Sequence, residues 1–166
     1  MDETLIFRFL RVSLFLAAFV AAAGAAAVAA QGPRVPSLEV VALSGERLSL
    51  HEPGKVTEIL FVARWCPPCA KAVAAARRRT GTLGRRGYRL IVVGVSRRQN
   101  EGDFREWSEE LGLRGALVYD VEGRVERALG ARLLPWSVVV DAAGKIVHSG
   151  SESLPAGQWM RLVGAR

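Results

Sequence analysis

Hydrophobic positions along the chain change rhythm several times, and each rhythm predicts an element. Residues 12–30 carry no charge at all. Residues 38–43 and 47–50 then alternate around Ser44-Gly45, which predicts a small antiparallel hairpin. In residues 57–63 the apolar positions 59–63 run on without alternation, as in a strand covered on both faces. Cys69, Ala72, Val73 and Ala76 recur at three and four residues, the inner face of a helix. That helix starts at Cys66-Pro67-Pro68, where proline's missing N–H costs nothing, and stops at Gly81 or Gly84. Residues 90–95 read as a second buried strand, joined to the first by a right-handed crossover. Phe104, Trp107 and Leu111 share one face of a further helix, with Asn100 or Asp103 as cap and Gly112 as stop. Residues 116–119 predict a third strand, and Val125, Ala128 and Leu129 a short helix before Gly130. Residues 136–140 and 145–149 flank Asp141-Ala142-Ala143-Gly144 as a second hairpin. Trp159, Leu162 and Val163 line a last helix that Ser153 is expected to cap. The order specifies an α/β fold: a mixed central sheet with helices on both faces and an N-terminal hairpin extension.

With 166 residues, half of them hydrophobic, the chain has material for one core. Residues 1–30 stand apart from it. Arg8 and Arg11 precede the uncharged run, which ends on Ala27-Val28-Ala29-Ala30, the pattern of a cleaved secretory signal. An uncleaved membrane tether through residues 12–30 is the competing reading, because the run is nearly long enough to span a bilayer. Its many alanines and Gly24 weaken it as a span. Residues 31–37 then form a linker and 38–166 the folded domain. On either reading the domain is periplasmic or otherwise extracytoplasmic, secreted or membrane-anchored.

Asp2 and Glu3 offset Arg8 and Arg11, so the net charge of +7 belongs to the domain. Its basic residues are scattered rather than gathered in a stripe, which argues against nucleic acid as a partner. Arg77, Arg78 and Arg79 fall near the end of the first long helix, where cations suit the dipole, and are expected to form a solvated face.

The chemistry is concentrated in Trp65-Cys66-Pro67-Pro68-Cys69, which holds both cysteines of the chain. A thiol between a buried strand and a helix start meets unpaired N–H groups and the positive end of the helix dipole. Both favour the thiolate, which is the nucleophile in disulfide exchange. Cys66 is expected to be partly exposed and Cys69, one turn deeper, covered. A purely structural disulfide across two residues would remove little chain entropy. A zinc site would need His51 and His148, which lack ligand spacing, and haem attachment would need histidine at Ala70. No metal or cofactor is expected beyond the redox-active Cys66–Cys69 pair.

These residues resemble the TlpA/ResA-like branch of the thioredoxin superfamily, exported bacterial thiol-disulfide oxidoreductases. The likeness rests on Trp-Cys-Pro-Pro-Cys after a buried strand, on Leu134-Pro135, and on Val138-Val139-Val140-Asp141-x-x-Gly144-Lys145-Ile146. It runs from about Pro36 to the C-terminus, with residues 101–119 similar to that branch's extra element. The resemblance implies a thioredoxin-like fold in which Cys66 attacks, Cys69 resolves, and Pro135 is a cis-proline facing the disulfide. Leu134 would offer its backbone to a substrate strand, Trp65 would cover the disulfide, and Pro67, Pro68 and Leu134 would set the reduction potential.

Several positions depart from that pattern. Leu60 stands where thioredoxins proper carry a buried acid, and Ala72 where some of the branch carry glutamate. Leu133 and Trp136 replace a common glycine and threonine, and Trp136 is expected to narrow the substrate groove. Glu58 is expected to face solvent. The function so implied is reduction of a specific protein disulfide, as in cytochrome c or metalloprotein maturation, with electrons from a membrane thiol-disulfide carrier. The competing readings are an oxidase or isomerase, and a non-catalytic module that docks a partner through Trp65, Leu134 and Trp136.

Overall fold

The computed structural model describes residues 32–164. The signal-or-tether reading of residues 1–30 therefore lies outside the described residues. Among the described residues, no helix is long and apolar enough to cross a membrane.

A two-stranded antiparallel ribbon, β1 (Glu39–Val41) and β2 (Arg47–Ser49), precedes a five-stranded sheet. The sheet order is β5-β4-β3-β6-β7, with β3 (Val56–Val62) at the centre, β4 (Tyr88–Val95) and β5 (Ala116–Asp120) on one side, and β6 (Trp136–Val140) and β7 (Ile146–Gly150) on the other. β3, β4 and β5 run parallel, whereas β6 runs antiparallel to β3 and β7 to β6. The helices are α1 (Pro67–Leu83), α2 (Glu101–Glu110), α3 (Arg124–Ala128) and α4 (Ala156–Gly164). Every residue of β3 is buried, Thr57 and Glu58 together with the apolar run 59–62.

The elements follow local chemistry closely. Asn100 accepts from the Asp103 N–H while the Asp103 carboxylate accepts from the Asn100 N–H, a capping box that starts α2. Phe104 of α2 lies so close over Gly94 of β4 that a Cβ there would sit 2.5 Å from its ring, so glycine permits this contact. In the β6–β7 turn the Asp141 side chain accepts from the N–H groups of Ala143 and Lys145, with Gly144 at φ +85. Residues 33–35, expected as linker, are fastened to that turn through Val35 N–H to the Gly144 carbonyl and Arg34 to the Ala143 carbonyl. The last helix begins at Ala156, behind Pro155. Ser153 is not its cap; the hydroxyl turns to the Leu154 carbonyl instead.

Two expectations are corrected at the centre of the sheet. Glu58 does not face solvent: it is 0% exposed in β3. Arg79 is not part of a solvated basic face, because it reaches inward to grip that carboxylate at 2.6 to 3.0 Å from Nη2 and Nε. The Tyr88 hydroxyl and the Ser137 hydroxyl, at 3.2 Å, also donate to Glu58. Trp159 of α4 closes the site, stacked under the Arg79 guanidinium at 5.0 Å and edge-on to Tyr88 at 5.5 Å. Burial alone would lower the Arg79 pKa, but the facing carboxylate raises it. A charge can occupy a doubly covered strand when donors from three elements answer it.

Removing one partner leaves the other charge uncompensated. Arg79→Met is expected to cost roughly 3–5 kcal/mol in urea denaturation, and pairing it with Glu58→Leu to recover much of that loss. A larger loss in the double variant would show that the pair is not what stabilises the site. Burial first, then the Glu58 charge, push the Tyr88 phenol above its ordinary pKa of 10.0. The unfolded chain then releases that proton before the native state does, so stability holds below about pH 10 and falls as pH rises further. The urea midpoint of the oxidised protein should decline above that pH, and Tyr88→Phe should remove most of the decline.

Candidate functional site

β3 ends at Val62, and a single turn carries the chain into α1. The Cys66 N–H closes this turn on the Ala63 carbonyl at 3.1 Å. Cys66 is the N-cap of α1, in extended conformation, and Pro67 and Pro68 take the first helical positions. Cys66 and Cys69 are joined as a disulfide with Cα atoms 5.4 Å apart, within the ordinary range. Cys69 is 0% exposed and Cys66 only 5%, more covered than its place at the helix mouth suggested. The bond draws its sulfur against a partner seated in the core. Cys66 is still the more accessible of the two.

The two prolines alter the electrostatics of this mouth. Neither has an N–H, and the first helical N–H, that of Cys69, already donates to the Cys66 carbonyl at 3.0 Å. A Cys66 thiolate would therefore draw on the helix dipole with few free donors beside it.

The loop between β4 and α2 braces the opposite side of the motif, a role that sequence reasoning missed. The Arg64 N–H donates to Gln99 Oε1 at 2.9 Å, and Gln99 Nε2 donates back to the Val95 carbonyl at 2.6 Å. The Tyr119 hydroxyl donates to the Gln99 carbonyl at 2.7 Å. Trp65 Nε1 donates to the Arg97 carbonyl at 2.5 Å, and the Arg98 guanidinium lies 5.1 Å from the centre of the same indole. Trp65 is 37% exposed. The available signal was positional: the polar run Ser96-Arg97-Arg98-Gln99-Asn100 leaves the carboxyl end of a strand parallel to β3, where open α/β sheets place their sites.

On the β6 side, the Leu134–Pro135 bond is cis. Leu134 lines a groove with Trp65, Arg97, Arg98, Arg132 and Leu133. Trp136 does not line it; the indole N–H donates to Ser149 Oγ at 3.1 Å and ties β6 to β7. Leu133, 62% exposed, is the residue that projects there. Pro135 borders a separate small cavity of about 40 Å³ with Leu60, Ala72, Glu58 and Arg79. The two positions read as lacking an acid thus share a cavity wall with Glu58, two residues before Leu60 in β3. His51 and His148 contact the carbonyls of Ala142 and Glu152. Among the described residues no cluster of His, Cys, Asp or Glu has the makings of a metal site.

Comparison with known proteins agrees with this architecture. The Redoxin family model matches residues 30–160. A thiol:disulfide interchange protein DsbE homolog of Paracoccus denitrificans is 34% identical over 122 residues, covering 70% of this chain and 64% of its own length. The thiol-disulfide oxidoreductase ResA of Halalkalibacterium halodurans is 29% identical over 111 residues, covering 65% of this chain and 62% of its own length. The chain thus spans somewhat less than two thirds of these curated relatives. A crystal structure of a thioredoxin family thiol:disulfide interchange protein from Chlorobium tepidum superposes with a TM-score of 0.68 at 21% identity, covering 82% of this chain and 97% of that one. The TlpA/ResA-like likeness and the thioredoxin-like fold read from the sequence both hold.

Restoring a donor at the second helical position should make the helix mouth more welcoming to an anion. Pro68→Ala is expected to lower the Cys66 pKa by about 0.2 to 0.7, as one helix-terminal interaction of ~0.3–1 kcal/mol dictates. Thiolate absorbance of the reduced protein during a pH titration reads this directly. An unchanged or raised pKa would show that the missing N–H has no influence there.

Proposed function

The chain belongs to the Redoxin family, and from that premise we propose that it is an exported thiol-disulfide oxidoreductase that reduces a disulfide in a protein partner. The observation that carries this reading is the Cys66–Cys69 disulfide at the N-cap of α1, with Cys66 slightly exposed and Cys69 sealed. In the reduced state the Cys66 thiolate attacks one sulfur of the substrate disulfide. That bond breaks, one substrate cysteine leaves as a thiolate and takes a proton from solvent, and a mixed disulfide forms at Cys66. Cys69 gives up its proton and attacks the Cys66 sulfur, releasing the second substrate thiol. Two electrons and two protons have then passed to the substrate, and the protein is left in the oxidised state described here. The second attack is intramolecular, across one helical turn, which gives it a high effective concentration.

The helix mouth supports reduction as the direction. A pair becomes a strong oxidant when its reduced form is stabilised. Pro67 and Pro68 withhold donors that would stabilise the Cys66 thiolate, which favours the disulfide and makes the dithiol a better reductant. Leu134 borders the approach to Trp65 and supplies the backbone against which a substrate strand would lie. The electrons come from a membrane thiol-disulfide carrier, and the partner is an extracytoplasmic protein such as an apocytochrome or a metal-site precursor. The support for that location is the uncharged N-terminal run with its Ala-x-Ala ending.

Reduction of insulin by the chemically reduced protein tests the chemistry. Cys66→Ser should bring the rate to background. Cys69→Ser should accumulate a covalent adduct with the substrate that dithiothreitol releases. Full activity in the Cys66→Ser protein would sink the enzyme reading and leave a binding module.

A further inference from the structure

The groove beside Trp65 has a chemical character that disulfide exchange alone does not require. Its open volume is about 590 Å³, and its lining is Trp65, Leu133 and Leu134 together with Arg97, Arg98 and Arg132, with no carboxylate. The charge of Arg97 is met by Glu126. Among the described residues no carboxylate pairs with Arg98 or Arg132. The groove thus gathers three guanidinium groups, two of them without an acidic partner, next to an exposed leucine and an indole.

Arg98 is held there against its own backbone preference. Its φ of +59 is the left-handed conformation, and it is the non-glycine residue that adopts it among the described residues. Such conformations persist where the surroundings over-determine them, and they cluster at functional sites. Here the surroundings are the indole under its guanidinium and the Trp65 hydrogen bond to the preceding carbonyl. A guanidinium stacked on a ring uses its face for the aromatic and keeps N–H donors for a planar anion.

We propose that this groove docks an acidic, extended segment of the substrate protein lying beside its reactive cysteine. The apolar floor of Trp65, Leu133 and Leu134 takes a hydrophobic side chain of that segment, and Arg98 and Arg132 take its Asp or Glu carboxylates. The proposal rests on the oxidoreductase reading for what the docking serves, but docking itself can be measured without the chemistry.

The experiment uses two peptides in which serine replaces the reactive cysteine, identical except for Glu-Glu or Lys-Lys beside that position. NMR titration into the oxidised full chain is expected to give about tenfold tighter binding of the acidic peptide at low salt, shrinking severalfold at high salt. Arg98→Gln with Arg132→Gln should bring the preference close to one. Arg78→Gln with Arg85→Gln, which removes the same charge from exposed sites elsewhere, should leave it intact. No preference in the unaltered chain, or equal loss in both double variants, overturns the proposal. So does groove-dependent binding to phosphatidylglycerol vesicles without peptide preference, which would assign the cations to a lipid surface. Reduction of neutral 2-hydroxyethyl disulfide is assayed in parallel. A chain that shows the peptide preference but no exchange keeps its docking groove and loses the oxidoreductase reading; the reverse result does the opposite.

Discussion

A carboxylate with no water around it must be answered by hydrogen-bond donors, and the donors that answer Glu58 come from α1, β4 and β6. That convergence fixes more than one charge. It clamps the helix that carries the dithiol onto the middle strand of the sheet, whose antiparallel neighbour β6 follows directly on Leu134 and Pro135. Trp159 then seals the clamp with its ring, which recruits the last helix into the same arrangement. Buried ion pairs contribute little net stability compared with apolar replacements, so the gain here is geometric. The helix can sit against the sheet in one register, because only one register brings Arg79 to Glu58.

The position of Cys66 depends on that register. A helix locked near its far end by Arg79 and bounded at its near end by two prolines has little freedom to slide or unwind at the cysteines. The β4–α2 loop constrains the other side of the motif through Gln99 and Trp65. The dithiol is thus gripped from the helix and from the loop, while the cysteines themselves make few polar contacts. Rigidity without donors suits a sulfur that must be available for attack but need not be strongly acidic.

Much of this was legible in the sequence. The continuous apolar runs of β3 and β4, the capping residues of α2 and the Asp141-to-Gly144 turn each named their own structure, since local periodicity and turn chemistry are short-range properties. The motif around Cys66 announced itself by residue type and by its place between strand and helix. Glu58 was misread because a lone acid near a strand's start has two outcomes, and the choice depends on Arg79, a partner twenty-one residues on whose inward turn no local pattern reveals. The clue was that Glu58 directly precedes the apolar run 59–63 in a strand covered on both faces, which leaves a charge there no route to water. Adjacency to Pro135 puts Trp136 at the groove on a local reading, whereas its indole bonds to Ser149 of β7 and Leu133 lines the groove with Trp65. Arg98 had no signal beyond the polar stretch it belongs to, since a left-handed arginine cannot be read from composition.

The N-terminal ribbon completes the β5 side of the sheet. Ala42 bridges to Val118, and the Leu43 N–H donates to the Leu117 carbonyl, so the outer rim of β5 is occupied by the chain itself. On the opposite side residues 33–35 lie along the start of β7, with Arg34 bridged to Lys145 and the Ile146 N–H donating to the Pro33 carbonyl, so the chain covers part of that rim too. Both outer strands are thus partly capped from within, and the backbone groups at which strands of other copies would add, and a fibre grow, are partly spent inside the fold.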